Sequence, residues 1–478
     1  MIDRHVADIV RFVDAITAGD TRLDALTALR AELPTAAFVD DAEVVVARSV
    51  DASFIPPDGA PLCLVAPSST AEVSTVLRIA NAHRVPVVAQ GGLTGLAGGA
   101  SAVEGCVLLD LTRMDQVLRV DPVDQVAVVQ PGVITADLNR AVAAHGLFYP
   151  PDPASWDTCT IGGNVATNAG GMRCVKYGVT RDFVRTLEVV LADGTVVRTR
   201  PITVKAVAGL DMTSLFVGSE GTLGVITEIT VSLLPAPGPV RGVSAGFRTV
   251  ADAMDAANEI MAGPHRPSTL ELLDAVVVDA VCRLSPDAGL PAGAGAWLLI
   301  LTDARVGGDD DVAEYERVCA AHGAISLDAA DDVAHVERLL AARRQLNPAL
   351  REYRGASLND DVSVPRTRLV DIFTRLAELS EEIGLPIGTG GHVGDGNLHP
   401  VICYDPADPA QLAVARDGHE RIMALAVEFG GTISGEHGIG TEKLAALDLE
   451  LTPRVREVQH ALKAVLDPHG ILNPGKKL

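Results

Sequence analysis

The sequence predicts an α+β protein built from several segments, and three features of the chain support this prediction. With 478 residues, the chain is too long for a single ordinary hydrophobic core. From Pro61 onward, short apolar runs alternate with helical patterns and glycine-rich loops, which indicates an α/β layer. The proline-rich segment LLPAPGPV (233–240) then precedes helices and strands without such loops. We therefore expect a helical segment at 1–50, an α/β domain at 51–237, an α+β domain at 238–421 and a helical segment at 422–478.

Apolar periodicity predicts the order of the elements. The helical patterns DIVRFVDAI and LDALTALRAEL open the chain. In the α/β domain, the predicted strands are LCLVAP, VPVVAQ, CVLLDL, QVAVVQPG and LEVVLADGTVVRT, and the predicted helices are AEVSTVLRIANAHR and TADLNRAVAAHG. Asp193-Gly194 marks a hairpin turn within the last of these strand runs. Farther on, we expect a strand at AWLLILT, helices at VADAMDAANEIM, DAVVVDAVCRL and 365–384, and helices over the last forty residues until DPHGILNPGKKL.

Composition and charge restrict the class of protein to which the chain can belong. Hydrophobic residues make up 48% of the chain and charged residues 21%, as in a folded soluble protein. The formal net charge of −23 argues against binding to nucleic acid or anionic lipid. The N-terminus lacks the apolar run of a secretory signal, and we expect no transmembrane segment. The seven cysteines form no C-x-x-C pair, which indicates reduced thiols in a cytoplasmic protein.

Three glycine clusters of the α/β domain are candidates for binding phosphate: QGGLTGLAGG (90–99), IGGNVATNAGG (161–171) and GSEGTLG (218–224). Successive glycines let backbone N–H groups approach an anion closely, although a plain turn is the commoner reason for each cluster alone. None has the G-x-G-x-x-G spacing of a nicotinamide site, and GILNPGKK (470–477) lacks the serine or threonine of a P-loop. Together, the clusters favour a phosphate-containing ligand.

The segment HVGDGNLHP (392–400) places two histidines on either side of a glycine turn. Its glycines disfavour a helix, so we expect a strand, a tight turn and a second strand, with both rings at one point. With Glu436 of SGEHGIGTEK, His392 and His399 form a set that suits a divalent metal ion; two ordinary loop histidines are the alternative. In an extended segment Glu436 and His437 point in opposite directions, which makes His437 the candidate general base.

Two groups of motifs resemble known flavoproteins. PSSTAEV, VPVVAQGGLTGLAGGA, PPDPASWDTCTIGGNVATNAGGMR and LFVGSEGTLGVITE resemble the FAD domain of the vanillyl-alcohol-oxidase superfamily. HVGDGNLHP, SGEHGIGTEK and DPHGILNPGK resemble its D-2-hydroxyacid dehydrogenase branch, which includes D-lactate dehydrogenases, glycolate oxidase catalytic subunits and D-2-hydroxyglutarate dehydrogenases. The resemblance, over residues 60–237 and 340–478, implies a PCMH-type FAD-binding domain of two α/β subdomains, an α+β substrate (cap) domain and a C-terminal helical segment that completes the active site.

The resemblance implies that the glycine clusters bind FAD. The residues implied in binding FAD are Gln90, Gly91, Gly92, Leu93, Thr94, Gly95, Leu96, Asp152, Ile161, Gly162, Gly163, Asn164, Thr167, Gly171, Glu220, Gly221, Ile226 and Asn473. Some members attach FAD covalently through a histidine in the first cluster. QGGLTGLAGG contains no histidine, so we expect non-covalent FAD. Cys159 and Cys174 lack a matching attachment motif and are interpreted as packing residues.

The same resemblance assigns His392, His399 and Glu436 as ligands of a divalent metal ion, with zinc expected and manganese or iron as alternatives. Asn397 is expected to hold the hydroxyl or carboxylate of the substrate.

Further substrate residues follow from the resemblance. Arg343 of LLAARRQLNPALREY stands at the position of the family's substrate arginine, with Arg344 as the alternative, and Asn347 stands at the next substrate position. A substrate carboxylate needs such a cation, because burying it unpaired is costly.

The segment LNDDVSVP (358–365) bears on the substrate class. Hydroxyglutarate enzymes have lysine, tyrosine and aspartate where this chain has Asn359, Asp360 and Asp361. Without the lysine, a distal carboxylate lacks a cationic partner, which favours lactate, glycolate or another monocarboxylate.

The sequence therefore predicts a cytoplasmic, FAD-dependent, metal-assisted dehydrogenase of D-2-hydroxyacids, with His437 as the base and hydride transfer to the flavin N5. The electron acceptor would be a quinone, a cytochrome, an electron-transfer flavoprotein or oxygen. Peripheral binding at the inner face of the membrane and a homodimer are both compatible with the sequence.

The rival hypotheses are a D-2-hydroxyglutarate dehydrogenase, a zinc hydrolase with the same ligand set, and a catalytically idle FAD-binding subunit. The glycine clusters argue against the hydrolase, and His437 argues against the idle subunit.

Overall fold

The computed structural model of the protein describes residues 21–53 and 55–478. The first predicted helical pattern, DIVRFVDAI, lies outside these residues. The second forms the helix Thr21–Glu32, which buries Ala25 and Leu29 and packs against the helix Thr70–His83. The described chain then alternates between helices and strands, as the predicted α+β class requires.

The strands are β1 (Phe38–Val39), β2 (Cys63–Val65), β3 (Val87–Gln90), β4 (Val107–Asp110), β5 (Val117–Asp121), β6 (Val126–Val129), β7 (Leu147–Phe148), β8 (Val184–Val190), β9 (Val196–Arg198), β10 (Val225–Ser232), β11 (Leu234–Pro235), β12 (Arg241–Phe247), β13 (Thr269–Asp274), β14 (Ala296–Thr302), β15 (Ser326–Ala330), β16 (Ala356–Asn359), β17 (Val362–Ser363), β18 (Ile387–His392) and β19 (Asn397–Tyr404).

The α-helices are Thr21–Glu32, Ala42–Ala47, Thr70–His83, Thr135–Ala143, Ile161–Thr167, Cys174–Tyr177, Thr180–Phe183, Met212–Phe216, Val250–Ala262, Ala275–Leu284, Gly308–Ala321, Val333–Arg344, Leu346–Arg354, Leu369–Ile383, Pro409–Glu428, Leu447–Glu450 and Pro453–Leu466. Within residues 21–53 and 55–478, no helix combines the length and the apolar character that crossing a membrane requires.

The first sheet has four strands in the order β1-β2-β4-β3 and leads into the first glycine cluster. β2, β4 and β3 run parallel, and the helix Thr70–His83 connects β2 to β3. Ser69 caps this helix by accepting a hydrogen bond from the backbone N–H of Glu72, and the apolar side of the helix, which includes Val76, is buried. Because β3 ends at Gln90, the first cluster leaves the carboxyl end of a parallel strand, where open α/β sheets bind ligands.

The second sheet is antiparallel, in the order β5-β6-β10-β8-β9, and positions the other two glycine clusters. The second cluster begins the helix Ile161–Thr167, which packs against β10. The third cluster directly precedes β10. The predicted turn at Asp193-Gly194 joins β8 to β9. The first and third clusters therefore adjoin strands of the first two sheets, and the second cluster contains a helix that packs against the second sheet.

The third sheet has eight antiparallel strands and begins directly after the proline-rich segment 233–240. Its main path is β15-β12-β14-β13-β18-β19-β16, and β17 pairs with β19. Alternate residues of β14 face opposite sides: Leu298 and Ile300 enter one core, and Trp297 and Leu299 enter another. The first core also contains residues of the helices Val250–Ala262, Gly308–Ala321, Leu369–Ile383 and Pro409–Glu428, and the second core those of Ala275–Leu284, Val333–Arg344 and Leu346–Arg354. Helices therefore cover both faces of this sheet.

β18 and β19 form the hairpin that the sequence predicts for HVGDGNLHP. The register pairs His392 with Asn397 and Gly390 with His399. His399 lies opposite Gly390, and Gly390 and His392 are two residues apart on β18, so both histidine rings lie on one face of the sheet. Gly396 in the turn has a φ of 94°, and a Cβ there would lie 2.1 Å from the backbone oxygen of Val364. Only glycine fits this position.

Two of the predicted segments are arranged differently from the expectation. The predicted boundary between residues 421 and 422 falls inside the helix Pro409–Glu428, which packs against β19 as one element. The described part of segment 1–50 is not separate, because β1 pairs with β2 of the first sheet. Of the last forty residues, those before Leu444 are not helical, whereas the helix Pro453–Leu466 ends immediately before DPHGILNPGKKL, as predicted.

Candidate functional site

The three glycine clusters meet around a cavity of 480 Å³. The residues implied in binding FAD that line this cavity are Gln90, Gly91, Gly92, Leu93, Thr94, Gly95, Leu96, Gly162, Gly163, Asn164, Thr167, Glu220, Gly221 and Ile226. Glu436 and His437 line it as well. The cavity therefore joins the glycine clusters to the segment that carries the candidate metal ligand and base.

The first cluster is held close to the second by its backbone. A Cβ on Gly91 would lie 2.3 Å from the hydroxyl oxygen of Thr160, so a side chain has no room there. Arg48 donates a hydrogen bond of 3.0 Å to the carbonyl oxygen of Gly91 and forms an ion pair of 2.8 Å with Asp110. Such close backbone approach is what a loop needs when its N–H groups must surround a pyrophosphate. The lining fits the FAD that the resemblance implies.

Four residues implied in binding FAD do not line the cavity. Ile161 is fully buried in the core of the second sheet. Asn473 donates hydrogen bonds to backbone oxygens of the first and third clusters and so joins them. Asp152 and Gly171 face each other outside the cavity, since a Cβ on Gly171 would lie 2.4 Å from the backbone oxygen of Asp152. The structure gives these four residues supporting contacts.

Three polar residues of the lining use their side chains within the protein. The amide of Gln90 donates to the backbone carbonyls of Arg48 and Ala100. Asn164 donates to a buried threonine hydroxyl. The carboxylate of Glu220 accepts hydrogen bonds of 2.8 Å from the backbone N–H groups of Ile439 and Gly440. Glu220 thus ties the third glycine cluster to the GEHGIG segment.

His392, His399 and Glu436 converge as the sequence predicts. The Nε2 atoms of the two histidines are 3.4 Å apart, and Oε2 of Glu436 lies 3.6 Å from the first and 3.8 Å from the second. Two atoms bound to one tetrahedral zinc ion at about 2.1 Å would be about 3.4 Å apart. Two imidazoles and one carboxylate also form a donor set that zinc, manganese or iron accepts. The residues present therefore fit a divalent metal ion.

The electrostatics of this set favour a positive charge among its atoms. Burial lowers the pKa of His392, but the carboxylates of Glu271 and Glu436 outweigh burial and raise this pKa well above its ordinary value. Burial and the nearby charge of His392 lower the pKa of His399 to about 3. Burial raises the pKa of Glu436, and the charge of His392 more than offsets this, so that its pKa lies below the ordinary value. A metal ion can supply the positive charge that a proton on His392 otherwise provides.

Asp361 lies behind the GEHGIG segment and fixes its backbone. Its Oδ2 accepts hydrogen bonds from the backbone N–H groups of Glu436 at 2.9 Å and His437 at 2.8 Å, and from the hydroxyl of Ser434 at 2.9 Å. Burial raises the pKa of Asp361, but its neighbours His437, Lys443 and His399 outweigh burial and hold this pKa well below its ordinary value. One ionised carboxylate therefore positions both a candidate metal ligand and the candidate base.

His437 and Asn397 face the same region as the metal set. The ring of His437 stacks on that of His399, with centroids 5.4 Å apart. Asn397 is buried, and neither its amide oxygen nor its amide nitrogen has a hydrogen-bond partner among the described residues. A buried amide without partners is costly, so these atoms are available to a ligand.

The structure separates the predicted substrate residues. Nε of Arg343 lies 2.6 Å from Oε2 of the buried Glu271, close to the metal set. Arg344 is half-exposed and pairs with Glu337, whereas Asn347 is exposed and does not line the cavity of 480 Å³.

Asn359 pairs with Val401, two residues along β19 from His399. Asn359 and His399 therefore share one face of the sheet.

Comparisons with known families identify the type of protein that these features define. A model of the FAD-binding domain matches residues 61–200, and a model of the C-terminal domain of FAD-linked oxidases matches residues 236–477. The chain belongs to the family of FAD-linked oxidases that carry this C-terminal domain. Residues 61–200, which include β2 to β9, therefore form an FAD-binding domain, and two of the three glycine clusters around the cavity lie within it.

Named relatives cover nearly the whole chain. The glycolate oxidase subunit GlcD of Bacillus subtilis is 40% identical over 420 residues, which are 87% of this chain and 88% of that protein. A D-lactate dehydrogenase of Archaeoglobus fulgidus is 37% identical over 415 residues, which are 86% of this chain and 90% of that protein.

Solved structures confirm the predicted PCMH-type fold. p-Cresol methylhydroxylase superposes with a TM-score of 0.77 at 18% identity, over 96% of this chain and 96% of that one. 4-Ethylphenol oxidase of Gulosibacter chungangensis superposes with a TM-score of 0.74 at 20% identity, over 96% of this chain and 97% of that one. At these identities the likeness concerns the fold alone.

Acid precipitation of the purified protein should release the flavin into the supernatant as FAD. The first glycine cluster offers no histidine, and the described residues that line the cavity include neither cysteine nor tyrosine. Cys159 is buried with its sulfur 3.3 Å from the hydroxyl of Thr135. The absorbance spectrum of supernatant and pellet checks the prediction, and His437→Ala is the control for the one imidazole in the lining. Yellow colour that remains in the denatured pellet would contradict it.

Proposed function

We propose that the protein oxidises a D-2-hydroxyacid to the 2-oxoacid with FAD and a divalent metal ion, for which zinc is expected. Both named relatives support this proposal, because glycolate and lactate are 2-hydroxyacids. The observation that carries it is that the segment of Glu436 and His437 borders both the cavity and the candidate metal set. Both residues line the cavity of the glycine clusters, and the carboxylate of Glu436 also lies within 3.8 Å of the two histidines. Flavin and metal ion would therefore act on one substrate.

We assign separate roles in the reaction to three residues of the chain, His437, Asn397 and Arg343. When bound, FAD accepts the hydride from the substrate Cα, and the metal ion favours negative charge on the substrate oxygen. We assign the removal of the hydroxyl proton to the ring of His437, since imidazole is suited to this transfer near neutral pH. Asn397 offers a buried donor and acceptor to the substrate. Arg343 is the candidate partner of the substrate carboxylate.

Anaerobic mixing of the purified protein with a panel of D- and L-2-hydroxyacids tests the proposed activity. The flavin absorbance should bleach with D-lactate and with glycolate, which is achiral, and should stay unchanged with L-lactate. A protein that bleaches only with the L-acid, or with none of the acids, would contradict the proposal. A colourless preparation would instead favour the hydrolase hypothesis.

The wild-type protein should prefer D-lactate or glycolate to D-2-hydroxyglutarate, and Asn359→Lys should shift this preference towards the dicarboxylate. Asn359 lies on the sheet face of His399, so we expect a lysine there to point to the side of the metal set and to pair with a distal carboxylate. A charge-assisted hydrogen bond contributes roughly 1.5–3 kcal/mol, or about one to two decades in kcat/KM. The ratio of kcat/KM for the two acids is the measurement, with Asn359→Met as an uncharged control of similar length. A wild-type preference for D-2-hydroxyglutarate would refute the assignment.

The electron acceptor remains part of the same proposal. The relative from Bacillus subtilis is named as a subunit, which supports a partner protein for this chain. We infer an electron-transfer flavoprotein, a cytochrome or a quinone as the acceptor, with the protein in the cytoplasm or at the inner face of the membrane. Stopped-flow reoxidation of the reduced flavin with each acceptor tests this inference, and fast reoxidation by oxygen alone would contradict it.

A further inference from the structure

Glu271 is a buried carboxylate between two leucines of β13. It lies in the run TLELLD of β13, and its side chain has no exposure to solvent. β13 pairs with β18, and alternation along the strands places Glu271 on the sheet face of the candidate metal ligands. An apolar residue would fill such a position at lower cost, because a buried carboxylate loses its hydration. The presence of this charge therefore requires an explanation.

Both oxygens of Glu271 are used. Oε1 lies 2.5 Å from Nδ1 of His392, and Oε2 lies 2.6 Å from Nε of Arg343. Arg343 is permanently charged, and the carboxylate that faces its guanidinium at 2.6 Å is therefore its ionised partner. An ionised carboxylate can only accept hydrogen bonds.

This contact decides which ring nitrogen of His392 is available. Because Glu271 only accepts, Nδ1 of His392 must carry the proton. In the neutral ring the free electron pair then lies on Nε2, the atom 3.6 Å from Glu436 and 3.4 Å from His399. Histidine ligands of metal ions are commonly oriented in this way by a carboxylate on their other nitrogen.

We propose that Glu271 is a positioning residue that presents Nε2 of His392 to a metal ion and holds Arg343 beside the same centre. This inference rests on the proposed function, since it assumes the metal site of His392, His399 and Glu436. One carboxylate thereby couples the candidate metal site to the candidate substrate cation. Loss of Glu271 should weaken metal binding, whereas loss of Arg343 alone should weaken substrate binding.

The affinity for zinc, measured by competition with a chromogenic chelator on the FAD-loaded protein, tests this role. Glu271→Gln should weaken zinc binding about 10- to 100-fold, the usual effect of removing such an orienting group. Asp274→Asn is the matched control. Asp274 is another carboxylate on β13, and it accepts hydrogen bonds from the backbone N–H groups of Val277 and Thr389 rather than from a metal ligand. Its removal should leave zinc affinity within about threefold of wild type.

A second pair of variants separates positioning from loss of folding. Glu271→Gln leaves Arg343 buried without its partner, which alone can destabilise the chain. The double variant Glu271→Gln/Arg343→Met removes both charges together and should still bind zinc about 10- to 100-fold more weakly. Arg343→Met alone should keep zinc affinity within about threefold but raise KM for the hydroxyacid. FAD absorbance and circular dichroism verify folding of each variant.

The outcomes distinguish this inference from the proposed function. Wild-type zinc affinity in both Glu271 variants would overturn the role of Glu271 and leave the metal centre intact. A wild-type protein that reduces its flavin with D-lactate but binds no divalent ion would refute the metal centre, and the role of Glu271 with it. Equal loss of zinc affinity in the Asp274→Asn control would show a merely structural effect and would also overturn the inference.

Discussion

The His399→Ala variant is expected to lose substrate-driven flavin reduction while it keeps its FAD. His399 contributes Nε2 to the candidate metal set, whereas the FAD cavity is lined by the glycine clusters, and His399 is not among its lining residues. A metal ion contributes several kcal/mol to stabilising developing charge, and each 1.4 kcal/mol is a factor of ten in rate. We therefore expect the rate of flavin reduction by D-lactate to fall by about three orders of magnitude. Anaerobic stopped-flow absorbance at saturating substrate measures this rate.

Two comparisons make the His399 experiment specific. A strong chelator applied to the wild-type protein should lower the rate equally, and added zinc should restore the wild type but not His399→Ala. His265→Ala is the matched control, because His265 is half-buried and pairs with Asp311 outside the metal set. Full flavin reduction by a preparation that elemental analysis shows to be metal-free would contradict the assignment.

The hairpin β18–β19 shows what local sequence can predict. Glycines on either side of Asp395 disfavour a helix, and a tight turn then brings two neighbouring strands into register. The meeting of His392 and His399 follows from these few residues alone. The first glycine cluster is predictable for the same reason, since it directly follows the predicted strand VPVVAQ, whereas the helix Ile161–Thr167 within the second cluster was not predicted.

The supporting carboxylates could not be predicted in this way. Glu271 contacts His392 only because β13 pairs with β18, and nothing within either strand specifies that neighbour. Asp361 is visible in the sequence as one of two adjacent acids, yet its hydrogen bonds reach the backbone of Glu436 and His437 far along the chain. Glu271 is not among the residues that the sequence predicts for the site; the signal that it offers is an acidic residue between the leucines of TLELLD. Long-range pairing of this kind is a property of the assembled sheet.

The implied FAD residues illustrate a related limit. Motif resemblance selects Ile161, Asn473, Gln90 and Glu220 together with residues of the cavity wall. The structure shows that Ile161 fills the core and that Asn473 holds two loops together. Gln90 and Glu220 line the cavity, but their side chains form hydrogen bonds with backbone groups of the protein. A motif records that a residue is needed at a site without recording whether it contacts the ligand or supports a residue that does.

The Asp361→Asn variant is expected to lower the rate of flavin reduction by about two orders of magnitude with FAD retained. Asp361 accepts hydrogen bonds from the backbone N–H groups of Glu436 and His437. An asparagine has one amide N–H₂ group in place of a carboxylate oxygen, and this group can donate but cannot accept such hydrogen bonds. Small misplacement of a catalytic group can cost about 100-fold, and a general base contributes about 10²- to 10⁴-fold. The rate at saturating D-lactate, measured alongside zinc content, tests the expectation.

Asp467→Asn separates this effect from loss of stability. Asp467 is also buried, and it accepts two successive backbone N–H groups, those of Ile471 and Leu472, together with Lys463. Both substitutions remove a buried carboxylate of the same kind, so their melting temperatures should fall by similar amounts, whereas only Asp361→Asn should slow flavin reduction in the fully folded protein. Equal rates for the two variants at a temperature where both are folded would show that Asp361 merely stabilises the fold. A selective loss at unchanged zinc content would instead show that His437 depends on the carboxylate that accepts the hydrogen bond of its backbone N–H. A loss accompanied by a lower zinc content would show that Asp361 acts through the backbone of Glu436.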